Sequence, residues 1–77
     1  MKITLNQIKV GNKAVICKLH NGDGIRRRLL DMGMIPGTVV ESVMKSPGGD
    51  PTAYLIRGAL VALREEESMQ IEVENYE

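Results

Sequence analysis

One short segment restricts the fold of this chain more than any other: a glycine that ends a helix, followed closely by a Pro-Gly pair. Gly33 follows an apolar helical repeat, and glycine readily adopts the left-handed conformation with which many helices end. Met34 and Leu29 then take the two positions whose side chains make the apolar contact of a Schellman motif. Pro36 and Gly37 suit the central positions of a type II turn. We therefore expect a helix that is tied tightly to the strand after it.

The helix before this stop has one apolar face. Ile25, Leu29 and Met32 recur at helical spacing, and the arginines between them lie mostly on the other faces. Asn21 or Asp23 is suited to cap the N-terminus of the helix, because a short polar side chain can accept a free backbone N–H there.

The rest of the chain is predicted to form strands. Apolar runs bounded by turn-forming residues predict five of them, at residues 13–19, 38–45, 54–57, 60–64 and 69–74. Gly58 opens the two-residue connection of the hairpin, which is typical of a type II′ turn and places Arg57 opposite Leu60. One face of the hairpin then carries Tyr54, Ile56, Val61 and Leu63. The other carries Leu55 and Leu60 among alanines.

Five short strands and one helix in 77 residues are too few for two full stacked sheets. We expect a mainly β fold, a small, partly open five-stranded barrel with the α-helix between the first and second strands. A chain of this length has room for one domain, residues 1–77. Glu65, Glu66 and Glu67 are expected to form a solvated corner before the last strand.

Composition excludes several classes of function. Ten Lys or Arg balance ten Asp or Glu, whereas nucleic-acid binding relies on a strongly basic face. Tyr54 and Tyr76 are the only aromatic residues, too few for a platform that stacks bases. The longest uncharged segment is residues 32–40, against about 20 apolar residues for a membrane helix. We expect a cytoplasmic protein that neither binds nucleic acid nor inserts into a membrane.

The sequence offers no catalytic or cofactor-binding residues. Cys17 and His20 lie three apart and could give a metal one sulfur and one nitrogen, with Asp23 as a third ligand. A stable transition-metal site takes three or four ligands, and the chain has no other Cys or His. We expect a packed cysteine and a loop histidine instead. The glycines before the helix lack the Gly-x-x-x-x-Gly-Lys spacing of a nucleotide site, so the pattern indicates a binding protein rather than an enzyme.

These motifs together resemble the ferrous iron transport protein A (FeoA) family over nearly the whole chain. The resemblance rests on residues 22–37, the loop 47–51, Arg57-Gly58 and residues 62–66. Its structural motif residues are Leu29, Gly33, Pro36, Gly37 and Gly58. The likeness implies an SH3-like barrel that acts as a cytoplasmic accessory of the Fe(II) transporter FeoB, docking on its GTP-binding domain. A related barrel forms the C-terminal domain of some iron-dependent repressors, so the alternative is a metal-responsive regulatory module with weak transition-metal binding.

A partner-binding surface is expected on the apolar side of the hairpin. Leu55 and Leu60 take positions where the family often has charged residues, which makes them candidates for docking on the transporter or on a second copy of the chain. The alternative is that Ile3 or Leu5 folds over them and they belong to the core. Arg26 and Arg27 are further candidate contacts. None of this requires the protein to hold Fe(II) itself.

Overall fold

Six strands form one antiparallel sheet in the computed structural model, which describes residues 2–76. The elements in chain order are β1 (Lys2–Thr4), a 3₁₀ turn (Leu5–Gln7), β2 (Lys13–Leu19), α1 (Asp23–Asp31), β3 (Val39–Lys45), β4 (Thr52–Ile56), β5 (Ala59–Leu63), α2 (Glu65–Ser68) and β6 (Ile71–Asn75). The order across the sheet is β1-β6-β2-β3-β4-β5. Because β1 and β5 are the two end strands, the sheet is not closed. The predicted mainly β, partly open architecture is confirmed.

The strand count and the helix position differ from the prediction because of β1. This strand has three residues, too few to show an alternating pattern in the sequence. It exists because Ile3 pairs with Val73 on β6, with one further residue pair on either side. With β1 counted, α1 follows the second of six strands rather than the first of five.

The end of α1 has the predicted Schellman geometry. Gly33 has φ +106°, and its N–H donates to the carbonyl of Leu30 at 3.0 Å. The N–H of Met34 donates to the carbonyl of Leu29, also at 3.0 Å. Both Leu29 and Met34 are fully buried. Ile25, however, is 42% exposed, because α1 packs on the sheet only through its later turns.

The turn after α1 fixes the helix to β2. Gly37 has φ +93°, and the N–H of Thr38 donates to the carbonyl of Ile35 at 3.0 Å, as a type II turn requires. Gly37 and Thr38 then exchange backbone hydrogen bonds of 2.7 and 3.0 Å with Ile16 on β2. The tight connection that the sequence predicts is therefore present.

The start of α1 is built differently from the prediction. Gly22 is the N-cap residue, so neither Asn21 nor Asp23 caps the helix. Asn21 is instead buried, and its Nδ2 donates to the carbonyl of Glu67 at 3.1 Å. Asp23 is the first helical residue and pairs with Arg26 at 2.8 Å. The polar side chain before the helix thus holds α1 against α2.

The predicted hairpin turn is wrong, although its two faces are correct. Arg57 and Gly58 occupy the turn with φ +50° and +82°, and positive φ at both positions makes it type I′. Leu60 therefore pairs with Leu55 instead of Arg57. The observed register of the two strands thus differs from the predicted one by two residues. Every side chain still lies on its predicted face, because side chains along a strand alternate with a period of two.

The core lies on the inner face of the sheet and under α1. Its buried apolar residues are Leu5, Ile8, Ala14, Ile16, Leu19, Leu29, Met34, Val40, Tyr54, Ile56, Leu63, Ile71 and Val73. Burial raises the pKa of the Tyr54 hydroxyl above its usual value.

Candidate functional site

An apolar surface covers the outer side of β3, β4 and β5. Its side chains form two rows of register partners: Leu55 beside Leu60, and Met44 beside Ala53 and Ala62. We call these five residues the outer apolar face. Leu60 is 63% exposed and Met44 57% exposed, while Leu55 is half-buried between its neighbours. Large apolar side chains this open are typical of surfaces that bind another molecule.

The N-terminal segment does not cover this face in residues 2–76. Ile3 pairs with Val73 at the opposite end of the sheet from β5. Leu5 is fully buried in the core, where it contributes nothing to the outer side. The alternative in which one of these residues shields Leu55 and Leu60 is therefore not what the fold adopts.

The three consecutive arginines of α1 have different surroundings. Arg26 pairs with Asp23 along the helix, and Arg28 pairs with Glu67 on α2. Arg27 is exposed and has no ion pair within 4.0 Å among the described residues. Of the two predicted contact residues, Arg27 thus has a guanidinium that can pair with an acidic group of a partner. The guanidinium of Arg26 already pairs with an acidic group of its own helix.

Glu67 joins α1 to the barrel, a role that sequence reasoning missed. Its carboxylate accepts hydrogen bonds from the Arg28 side chain and from the backbone N–H of Arg64, the latter at 3.1 Å. Its carbonyl accepts the Asn21 amide. The Glu67 side chain is only 15% exposed, so the prediction that it belongs to a solvated corner is wrong. The Arg64–Glu67 spacing of three, which suits a helix cap, is the signal that could have identified it.

The two candidate metal ligands have separate polar partners. His20 Nε2 lies 2.9 Å from Glu72 Oε1, and the Lys2 ammonium lies 3.3 Å from the other oxygen of that carboxylate. The hydrogen bond from His20, followed by that from Lys2, lowers the pKa of Glu72. Cys17 lies at the β-bulge of β2, with its Sγ 3.7 Å from the Val15 carbonyl.

The thiol of Cys17 is free and half-buried on β2. Desolvation and the nearby Glu74 carboxylate raise its pKa, so the thiolate that coordinates metals is disfavoured. Across residues 2–76, no three His, Cys, Asp or Glu side chains converge as a metal site requires. In the same part of the chain, neither helix has the length and apolar character needed to cross a bilayer.

Comparison with known proteins agrees with this architecture. The family model described as the FeoA domain matches residues 3–75. A Fe(2+) transport protein A/Fe(2+) transporter FeoB fusion protein of Porphyromonas gingivalis (strain ATCC BAA-308 / W83) is 36% identical over 70 residues. That match covers 91% of this chain but spans only 8% of the length of the fusion protein.

Solved structures show the same fold. The solution structure of the FeoA protein from Chlorobium tepidum has a TM-score of 0.93 at 28% identity, covering 97% of this chain and 71% of that one. Stenotrophomonas maltophilia FeoA complexed with zinc, described as a prokaryotic SH3 domain protein, has a TM-score of 0.80 at 33% identity, covering 94% and 89%.

A manganese-dependent transcriptional repressor shares the fold alone, with a TM-score of 0.85 at 14% identity over 97% of this chain and 42% of that one. The family model, by contrast, spans nearly the whole sequence, including the glycine-ended helix and its type II turn. This chain therefore belongs to the FeoA family and has its SH3-like fold.

Proposed function

We propose that this protein is a non-enzymatic, cytoplasmic accessory of Fe(II) uptake, with residues 1–77 acting as one domain. Its outer apolar face docks on the GTP-binding domain of the transporter FeoB and biases the conformations of that domain. The single observation that carries the proposal is that Leu60 and Met44, the two most exposed large apolar side chains of the described residues, lie together beside Leu55 on one side of the sheet. Membership of the FeoA family and the fusion of a relative to FeoB support this choice of partner.

The polar side chains support binding rather than catalysis. His20 and Lys2 both pair with Glu72 in an open surface depression, and Glu67 is engaged by Arg28. A general acid or base must be free to exchange a proton with a substrate, whereas these two carboxylates are already held by cationic or hydrogen-bonding partners. The proposed docking therefore acts through affinity: the protein favours whichever transporter conformation it binds more tightly.

Leu55 and Leu60 form the centre of the proposed interface, and the exposed guanidinium of Arg27 on α1, which has no ion pair among residues 2–76, is a second, separate contact. The charge of Arg26 is already offset by Asp23, so we assign Arg26 the smaller share of the binding. Central, desolvated apolar residues usually contribute more affinity than charges at the rim.

The test is calorimetric titration of the purified protein with the cytoplasmic GTP-binding domain of FeoB from the same genome, with and without GTP. Leu60→Glu should weaken binding at least about tenfold, because it places a charge in a desolvated contact. Met69→Glu is the matched control, since Met69 is also an exposed apolar residue, at 51%, but follows α2. Equal affinity of the two variants would remove the outer apolar face from the interface.

The repressor-like alternative calls for a separate measurement. Anaerobic Fe(II) titration of the chain, followed through the NMR signals of Cys17 and His20, would give tight stoichiometric binding if the protein were a metal sensor. Unchanged signals at saturating Fe(II), together with binding to the transporter domain, would favour the docking function.

A further inference from the structure

Three acidic side chains in residues 2–76 are half-buried, and only one of them has no charged partner. Glu67 pairs with Arg28, and Glu72 pairs with Lys2 and His20. Glu41 makes neither an ion pair nor a side-chain hydrogen bond within the described residues. Burying a carboxylate is costly unless it is paired, so a partner that completes the burial of Glu41 has to supply a group that compensates its charge.

The position of Glu41 connects it to the docking surface. Glu41 on β3 is the register partner of Leu55 on β4, which in turn is the register partner of Leu60 on β5. The three side chains therefore form one row on the same outer side of the sheet. A segment long enough to lie across both leucines and reach β3 would also cover the Glu41 carboxylate.

We propose that Glu41 is the polar anchor of the outer apolar face and that it selects a partner segment carrying a Lys or Arg among aliphatic side chains. This inference rests on the proposed function and names the chemistry of the docked segment. Covering Glu41 with a purely apolar segment would bury an unpaired charge, which is strongly unfavourable. A cation at the matching position offsets that cost and makes the contact specific.

One cation of the chain itself lies in the neighbouring strand. Lys13 on β2 is the other register partner of Glu41, but its side chain is exposed and its ammonium lies beyond 4.0 Å from the carboxylate. If Lys13 neutralised Glu41 in the complex, no cation would be needed from the partner. Removing Lys13 therefore distinguishes an internal pair from an intermolecular one.

The experiment titrates Glu41→Gln, Glu41→Lys and Lys13→Ala with the same GTP-binding domain. Glu41→Gln should weaken binding about tenfold, since it keeps the shape of the side chain and removes only the charge. Glu41→Lys should weaken it about a hundredfold through repulsion. Lys13→Ala should leave the affinity unchanged. Glu74→Gln, an exposed carboxyl on β6, is the matched control and should bind like the unaltered protein.

Charge exchange gives the sharper result. If the Lys or Arg of the transporter domain that pairs with Glu41 is replaced by Glu, the domain should no longer prefer the unaltered protein. The same replacement should restore the affinity of the domain for the Glu41→Lys variant. Thermal melts of each variant check that the barrel remains folded.

The outcomes separate the two proposals. Unaltered affinity of Glu41→Gln, with Leu60→Glu still weakened, would overturn the role of Glu41 and leave the docking function standing. Failure of the unaltered protein to bind the domain at all would overturn the docking function itself. Self-association of the chain that is lost in both Leu60→Glu and Glu41→Lys, measured by sedimentation, would show that the occupant is a second copy and would overturn the present inference.

Discussion

The junction between α1 and α2 and the outer apolar face differ in how many of their side chains have partners within the chain. At the junction, Glu67 receives contacts from Asn21 and Arg28, and Leu29 on the same helix is fully buried in the core. On the outer apolar face, Leu60 is 63% exposed although it lies in an end strand that is paired with β4 along its whole length. The polar groups of the junction are therefore satisfied within the chain, whereas the outer apolar face leaves large apolar side chains in contact with solvent.

The largest expected effect comes from removing the buried apolar side chain with which α1 joins the core. Leu29→Ala should lower the free energy of unfolding by about 2–5 kcal/mol, because it leaves a cavity under α1. Leu30→Ala is the control at the next helix position, where the side chain is 37% exposed, and should cost much less. Urea denaturation measures both variants. Equal losses would contradict the assignment of α1 as a packed element of the barrel.

A smaller effect is expected from the polar part of the junction. Glu67→Gln should lower the free energy of unfolding by about 1 kcal/mol, because the Arg28 guanidinium and the Arg64 N–H lose their charged acceptor. Glu66→Gln, an exposed neighbour, should have no measurable effect on the same urea curves. If the two variants denatured identically, Glu67 would belong to the solvated corner after all.

The smallest effect concerns pH and lies outside both regions. The pKa of Glu72 is lowered by His20 and then by Lys2, so the folded carboxyl titrates below the unfolded one. Its stabilising contribution is therefore complete above the unfolded pKa of about 4.3 and is lost as the pH falls through the folded value. Glu72→Gln should narrow the difference in melting temperature between neutral and acidic pH, relative to Glu74→Gln. If the difference in melting temperature stayed the same, the contacts of Glu72 with His20 and Lys2 would contribute nothing to folding stability.

Features determined by local backbone requirements could be predicted from the sequence. Gly33 and Gly37 have positive φ, as the Schellman stop and the type II turn require, and few other residues accept that conformation. The separation of Leu55 and Leu60 from the inward side chains was also predicted correctly, because alternation along a strand survives an error of two residues in register.

Features determined by contacts between distant residues could not be predicted. β1 is too short to leave a pattern, and it forms because β6 offers it an edge. The type I′ turn requires Arg57 at positive φ, which local preference alone disfavours. The interactions of Glu67 depend on residues 39 and 46 positions away, Arg28 and Asn21.

The sequence by itself determined the glycine-ended helix, the type II turn and the division of the hairpin into two faces, because each depends on steric rules that act within a few residues. Only the tertiary structure decided which polar groups are neutralised and which apolar side chains remain open. Among residues 2–76, Arg28 has an ion-pair partner while Arg27 and Glu41 have none, and Leu5 is buried while Leu60 is exposed. Those outcomes depend on which strands become neighbours, and pairing between distant segments is not encoded in any short stretch of the chain.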